Sequence, residues 1–333
     1  MKDGGHGALG SRLTAMFAIS DALAWTRHPD LHPAPGQIRI RVAAAGLNRA
    51  DLLQHAGHYP PPPGASTILG LECAGVVDAL GEGVSRWRIG DRVCALLSGG
   101  GYAEQVVCPA DHALPVPEGL SMVQAAALPE VLATAWLNLY REAALQPGES
   151  VVLHAGASGV GTAAIQLCRL RGARCFVTAG SADKIARCVA LGADGGHCRH
   201  DGDFVDAVKA WAPGGVDVIL DPVGAAYLPD NQRILATDGR LVLIGLLGGR
   251  MGTVDLGRLL VKRQRLIGST LRSRSDAEKA EIIAGIAAEV WPAVIAGEVA
   301  AVIDTTMPVA EVEAAHRLLS SNSTTGKVIL TMS

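Results

Sequence analysis

Apolar positions along this chain change their spacing twice. Gln37-Ile38-Arg39-Ile40-Arg41-Val42 alternates polar and apolar, a period of two that predicts a half-buried strand. Ala74 to Val77, Arg92 to Leu96 and Tyr102 to Val107 predict further strands, separated by the Gly81-Glu82-Gly83 and Gly90-Asp91 turns. Pro60-Pro61-Pro62-Pro63-Gly64 excludes helix and central strand and predicts an extended loop. Near Ser121 to Pro129 the pattern shifts. Val151-Val152-Leu153 is a short apolar run, the mark of a strand buried on both faces, and Ala163 to Leu170 follows as a helix. Arg174 to Thr178 predicts the next strand and Lys184 to Leu191 the next helix, closed by Gly192. Val216 to Leu220 and Arg240 to Ile244, the latter after an Asp238-Gly239 turn, predict two more strands. Strands that alternate with helices predict an α/β fold with a parallel, doubly wound sheet. The final stretch holds a helix, Val309 to Leu319, and a strand, Gly326 to Leu330, expected to return to the β-rich part.

The junction after Leu153 carries the clearest chemistry. His154-Ala155-Gly156-Ala157-Ser158-Gly159-Val160-Gly161 is a small-residue turn between strand and helix. Small side chains let a backbone approach a pyrophosphate, and the helix behind offers free N–H groups and a positive dipole end. Gly156, Ala157, Ser158, Gly159 and Val160 are therefore candidate dinucleotide contacts. Ser158 stands where the usual G-x-G-x-x-G has its middle glycine, so its hydroxyl could serve phosphate, ribose or nicotinamide.

Composition narrows the class. The chain has 333 residues, enough for two domains, and a net charge of −3. No basic cluster resembles a nucleic-acid footprint; Lys262-Arg263-Gln264-Arg265 reads as a solvated loop. No apolar run is long enough to span a bilayer, and Met1 to Ser11 lacks the apolar core of a signal peptide, so a cytoplasmic protein is expected. Those first residues are expected to be disordered. The seven cysteines are scattered without a C-x-x-C pair, as in a reducing compartment.

In family order, the chain resembles the medium-chain dehydrogenase/reductases, specifically the zeta-crystallin-like NADPH:quinone oxidoreductases. The residues that carry the resemblance begin with Gly46 to Asp51, His58-Tyr59 with the proline run, and Leu69 to Gly75. Gly90 to Val93, Gly99 to Glu104, His154 to Gly161, Thr178 to Ser181, Gly245 to Gly249 and Gly326 to Val328 complete it. Between Met16 to Ile19 and Pro35-Gly36 the chain is shorter than the family, without its Gly-rich loop. The resemblance implies a GroES-like substrate domain from residues 1–129 and 273–333 and a Rossmann domain from 130–272. It implies that Asn48 and Tyr59 face the substrate and that Thr134 lies beside the nicotinamide. Gly245, Leu246 and Leu247, with Thr270, Leu271 and Arg272, would hold the nicotinamide half through backbone groups.

The cofactor follows from charge. NAD-selective domains place a carboxylate on the ribose about 20 residues past the glycines. Here that place reads Thr178-Ala179-Gly180-Ser181-Ala182, and Lys184 follows. A hydroxyl and an ammonium suit a 2′-phosphate, so Gly180, Ser181 and Lys184 point to NADPH; read alone, Lys184 is equally a solvated helix lysine. Arg199 falls where the family has a further phosphate contact, and would fork onto it. No zinc is expected: Gly70-Leu71-Glu72 has leucine where the zinc dehydrogenases have a ligating histidine, and Cys73, Cys94 and Cys108 are too far apart for a structural zinc lobe. The implied reaction is hydride transfer to a quinone without a metal, with Asn48, Tyr59 and Ser158 as candidate catalytic groups. An enoyl or 2-alkenal reductase and a low-turnover NADPH-binding sensor or structural protein are the alternatives. Family members pair through the edge of the Rossmann sheet, and Leu266 to Thr270 is the matching strand, so a homodimer, or a tetramer built on that pairing, is expected.

Overall fold

The computed structural model describes residues 15–20 and 22–332. The expectation of disorder at Met1 to Ser11 lies outside the described residues. The chain opens with a hairpin of β1 (Ala15–Ile19) and β2 (Trp25–Pro29). Next come β3 (Gln37–Gly46), α1 (Arg49–His55), β4 (Glu72–Leu80), β5 (Arg92–Leu96), β6 (Gln105–Pro109) and β7 (Ala113–Pro115). In β3 the expected alternation holds, with Ile38, Ile40 and Val42 inward, and the strand runs on through a fully buried Ala44–Gly46. Strand β6 starts three residues later than its apolar pattern predicts. Tyr102 sends its N–H to the Leu69 carbonyl (2.9 Å) and accepts from Ile19 N (2.8 Å), so it serves the β1 side before the ladder with β3 begins.

The middle alternates as predicted: α2 (Met122–Ala126), α3 (Pro129–Trp136), β8 (Ser150–Leu153), α4 (Gly159–Arg171), β9 (Arg174–Ala179), α5 (Ala182–Ala190), β10 (Gly195–Cys198) and α6 (Phe204–Trp211). Then follow β11 (Val216–Asp221), α7 (Leu228–Ile234), β12 (Leu235–Leu243), α8 (Leu256–Val261) and β13 (Arg265–Gly268). The six strands run parallel in the order β10-β9-β8-β11-β12-β13. Numbered within the domain this is 3-2-1-4-5-6, with the reversal between β8 and β11. Asp238-Gly239 does not turn the chain between elements. Asp238 takes φ +61° inside β12, and the register against β11 slips between the Leu235 and Arg240 pairs. It is a bulge, which explains why β12 starts five residues before the predicted strand.

The chain ends with α9 (Asp276–Glu289), α10 (Trp291–Ile295), β14 (Ile303–Pro308), α11 (Val312–Ser320) and β15 (Lys327–Thr331). Strand β15 does return to the β-rich sheet, whose order is β14-β15-β3-β4-β5-β7 with β6 also on β3. Its first residues do more than close that sheet. Gly326 N donates to Ala157 O at 2.8 Å, and Ser158 and Gly326 form a parallel bridge. The glycine turn of one sheet is thus stitched to the last strand of the other. The largest core cluster is built of Ala, Val, Leu and Ile from α2, α3, α4, the parallel sheet and α9.

Candidate active site

The glycine turn needs its small residues. A Cβ on Gly156 would lie 2.6 Å from Val177 Cβ, and one on Gly161 2.5 Å from Gly156 O. Ala155 takes φ +52° to bend the chain out of β8. Ser158 is the N-cap of α4: its Oγ accepts from Gly161 N at 3.0 Å. The oxygen expected to serve a ligand is engaged by the helix, and the hydroxyl hydrogen is what it has left to offer. Beneath the turn lies a buried polar floor that the sequence pattern missed. His154 Nε2 stands 2.7 Å from Asn231 Oδ1 and Nδ1 stands 2.9 Å from Thr178 Oγ1. Asn231 Nδ2 donates to Asp221 Oδ2 at 2.9 Å, so its Oδ1 faces the ring and His154 carries its proton on Nε2. Burial pushes His154 down to about 4 and Asp221 up to about 6. Asp221 closes β11 by accepting from Val223 N (2.6 Å) and Gly224 N (3.2 Å). A signal existed: both residues directly follow or end an apolar strand run.

At the end of β9 no acidic side chain follows Ala179 until Asp183 on α5. Ser181 caps α5, accepting from Lys184 N at 3.3 Å. Lys184 Nζ donates to Asn322 O at 2.7 Å, so the lysine is anchored rather than loose. Arg199 lies over Gly180, where a Cβ would sit 3.4 Å from Nη2, and its Nε donates to His200 Nε2 at 3.3 Å. Partial burial and then the neighbouring Arg199 charge lower the Lys184 ammonium. The two cations are close enough for their charges to repel, a repulsion that an anion bound between them would relieve.

The nicotinamide-side expectations meet mixed geometry. Leu246 and Leu247 are exposed, and the Leu247 N–H is committed to Pro222 O at 3.1 Å. That N–H is therefore engaged by the loop that follows β11. Gly245 packs on Pro222, whose O would lie 2.8 Å from a Cβ there. Thr270 is exposed and its Oγ1 meets Ser273 Oγ at 2.7 Å, while Leu271 is buried. Arg272 departs most from its expected backbone role. Its buried guanidinium reaches Ser98 O (2.9 Å), Tyr59 O (3.3 Å) and Gln54 Oε1 (2.6 Å), and lies 5.5 Å from the Tyr59 ring centre. It clamps the loop that presents Tyr59. Lys279 on α9, also buried, donates to Ser98 Oγ at 2.6 Å.

Opposite the glycine turn sits a buried ion pair. Glu72 Oε1 lies 2.6 Å from Lys327 Nζ, with both side chains buried. Asn48 Nδ2 donates to Glu72 Oε1 at 3.0 Å and Glu130 N donates to Oε2 at 2.9 Å. Lys327 also donates to Asn48 Oδ1 at 2.7 Å and to the Leu47 carbonyl, which uses all three of its hydrogens. Gly46 makes the room: a Cβ there would lie 2.3 Å from Glu72 Oε1. The Asn48 amide, expected to face a substrate, points here at Glu72 and the Gly46 carbonyl (3.4 Å). Next to it Asp51, pushed up to about 6 by burial, accepts from Asn48 N (2.8 Å), Tyr102 Oη (2.9 Å) and Gly70 N (3.2 Å). Thr134 is half-buried on α3, one turn beyond Glu130 and on the same helical face. Glu130 is the functional candidate that sequence reasoning missed; its signal was that spacing before Thr134, just after Pro129.

The residues do not fit a catalytic zinc. Leu71 has no donor, and both Glu72 oxygens are already taken beside a fixed ammonium, which would repel a second cation. Among the described residues no three His, Cys, Asp or Glu are grouped to hold a metal. They do fit a dinucleotide. The turn after β8 and the ends of β9, β11, β12 and β13 share the carboxyl edge of the parallel sheet, across its reversal point.

The fold and this edge define a two-domain oxidoreductase built to hold a nicotinamide dinucleotide between a Rossmann sheet and a GroES-like sheet. Residues 34–118 match the alcohol dehydrogenase GroES-like domain, and residues 159–284 match the zinc-binding dehydrogenase domain. The human synaptic vesicle membrane protein VAT-1 homolog is 34% identical over 314 residues, covering 90% of this chain and 79% of that one. A quinone oxidoreductase of Pseudomonas syringae superposes with a TM-score of 0.84 at 29% identity, over 95% of this chain and 98% of that chain. The CurK enoyl reductase gives 0.81 at 29% identity, over 96% and 99%. The mycobacterial protein Rv1454c, solved with NADPH, gives 0.83 at 28%, over 95% and 99%. The chain belongs to the medium-chain dehydrogenase/reductase superfamily.

Proposed function

We propose that this protein is an NADPH-dependent quinone reductase that works without a metal. The observation that carries the cofactor reading is the pair of interacting cations Lys184 and Arg199, the latter over Gly180, with no acid at the end of β9. When bound there, NADPH supplies the hydride. The chain's own part is to seat the phosphates on the glycine turn and the α4 N-terminus, and to hold the acceptor under Tyr59. A quinone needs little more, since its reduced oxyanion is delocalised. Removing Lys184 tests the reading. Lys184→Ala should weaken NADPH binding by about 1.5–3 kcal/mol, the scale of a charge-assisted hydrogen bond, and leave NADH nearly unchanged in fluorescence titrations. Equal loss for both cofactors would count against the assignment.

An enoyl or 2-alkenal reductase is the second reading. It is favoured by one feature, a half-buried carboxyl group (Glu130) close enough to Tyr59 for its charge to raise the Tyr59 hydroxyl. The assembly we propose is a homodimer through β13. Its strand is only half-buried, and α8 beside it exposes Leu256, Leu260 and Val261.

A further inference from the structure

Glu130 stands second in α3, and its backbone N–H is pinned to Glu72. Its carboxyl makes no hydrogen bond among the described residues, yet it is half-buried in the cleft between the two sheets. The titratable groups that face it come from five directions: Glu72 on β4, Lys327 on β15, Asp51 on α1, Lys279 on α9, and Tyr59 on the loop after α1. Every other acid of this cluster is committed. Glu72 is held by Lys327 and Asn48, and Asp51 by Tyr102, Gly70 and Asn48. Tyr59 is a poorer acid, because burial, and then the Glu130 charge, raise its hydroxyl.

We propose that Glu130 is the general acid of this cleft, delivering the proton that completes reduction of an α,β-unsaturated carbonyl. This rests on the NADPH-reductase reading in its enoyl or 2-alkenal form, and assigns the acid which that form needs to Glu130 rather than Tyr59. Hydride from NADPH forms a new C–H bond at the β-carbon, and the C=C electron pair moves toward the carbonyl as an enolate. The O–H bond of Glu130 then breaks and its proton closes the α-carbon. The substrate has gained two electrons and two hydrogens, NADP⁺ is released, and the Glu130 carboxylate recovers a proton from water. The environment matches the task. Burial, then the adjacent Glu72 carboxylate, push Glu130 up to about 8, so it is protonated and ready to donate at neutral pH. A quinone has no such need, because its hydroquinone anion can take a proton from water.

The test compares wild type, Glu130→Gln and Glu130→Asp with NADPH against an enal and a quinone from pH 6 to 10. Glu130→Gln should slow enal reduction by about 10²-fold or more, the range for a lost general acid, and quinone reduction by less than about tenfold. The wild-type enal profile should fall through pH 8 on the alkaline side, a limb that Glu130→Gln lacks and Glu130→Asp restores in part. Difference infrared spectra of the ligand-free protein should show a protonated carboxyl band that disappears near the same pH and is missing in Glu130→Gln. Unchanged NADPH binding by Glu130→Gln certifies its fold. Enal turnover unaffected by Glu130→Gln, or an enal-inactive enzyme that still reduces quinones, overturns the acid role and leaves the NADPH-reductase reading intact. A wild type that oxidises NADPH with neither acceptor overturns both.

Discussion

Glu130 makes its own claim on stability, apart from chemistry. Its carboxyl is raised to about 8 in the folded chain from an ordinary value near 4.5. The folded state therefore holds its proton more tightly than the unfolded state. The stabilisation is fully present below about pH 4.5 and is lost as pH rises through about 8. Glu130→Gln keeps a neutral side chain at every pH, so its melting temperature relative to wild type should climb between pH 6 and pH 9. Thermal melts of the two proteins across that range check it; a constant difference would mean the carboxyl is not displaced from its ordinary value. Residue legibility followed locality. Ser158, Gly180, Ser181 and Lys184 stand out in the sequence because each lies within a few positions of a strand end. Nothing near Asn48 in sequence shows that Glu72 and Lys327 engage its amide. Arg272 was read as a backbone contact because a buried arginine clamping a distant tyrosine loop leaves no local pattern.

Strand β15 joins the β-rich sheet, the ion pair and the glycine turn. Removing its lysine should expose the cost of that junction. Lys327→Met leaves Glu72 buried without its counter-charge, which typically costs about 3–5 kcal/mol. The double variant Glu72→Gln with Lys327→Met should recover a good part of the loss, because the orphaned charge is gone. Denaturant unfolding of the singles and the double measures this; a double variant no better than Lys327→Met would assign the loss to packing. The elements were largely legible, since alternation and short apolar runs mark β3, β8 and β9 directly. The misreadings fell where backbone geometry overrides side-chain period. A bulge at Asp238 hides the first half of β12, and glycine-bent chain before β6 lends Tyr102 to β1.

For the whole molecule, the surface beside β13 is the feature with the largest consequence for assembly. Leu256, Leu260 and Val261 are 69%, 76% and 74% exposed on a six-residue helix next to an edge strand. Light scattering should give the mass of a dimer at micromolar concentration, and Leu260→Asp should shift it toward monomer without changing the single-chain fold. A wild type that stays monomeric when concentrated would refute the pairing. The doubly wound order was legible from the alternation of strands and helices, whereas the stitch from Gly326 to Ala157 was not, because a backbone bridge between two sheets has no side-chain signature. That stitch and its lysine also set a timetable for biosynthesis. Asn48 leaves the ribosome 279 residues before Lys327. Until that lysine emerges, the nascent β-rich sheet has no cation for Glu72, and the end of β3 is paired on its β4 side only. The larger sheet begun first is thus the one that waits longest to close, and during that wait its open edge is exposed to wrong pairing and is a natural target for a chaperone.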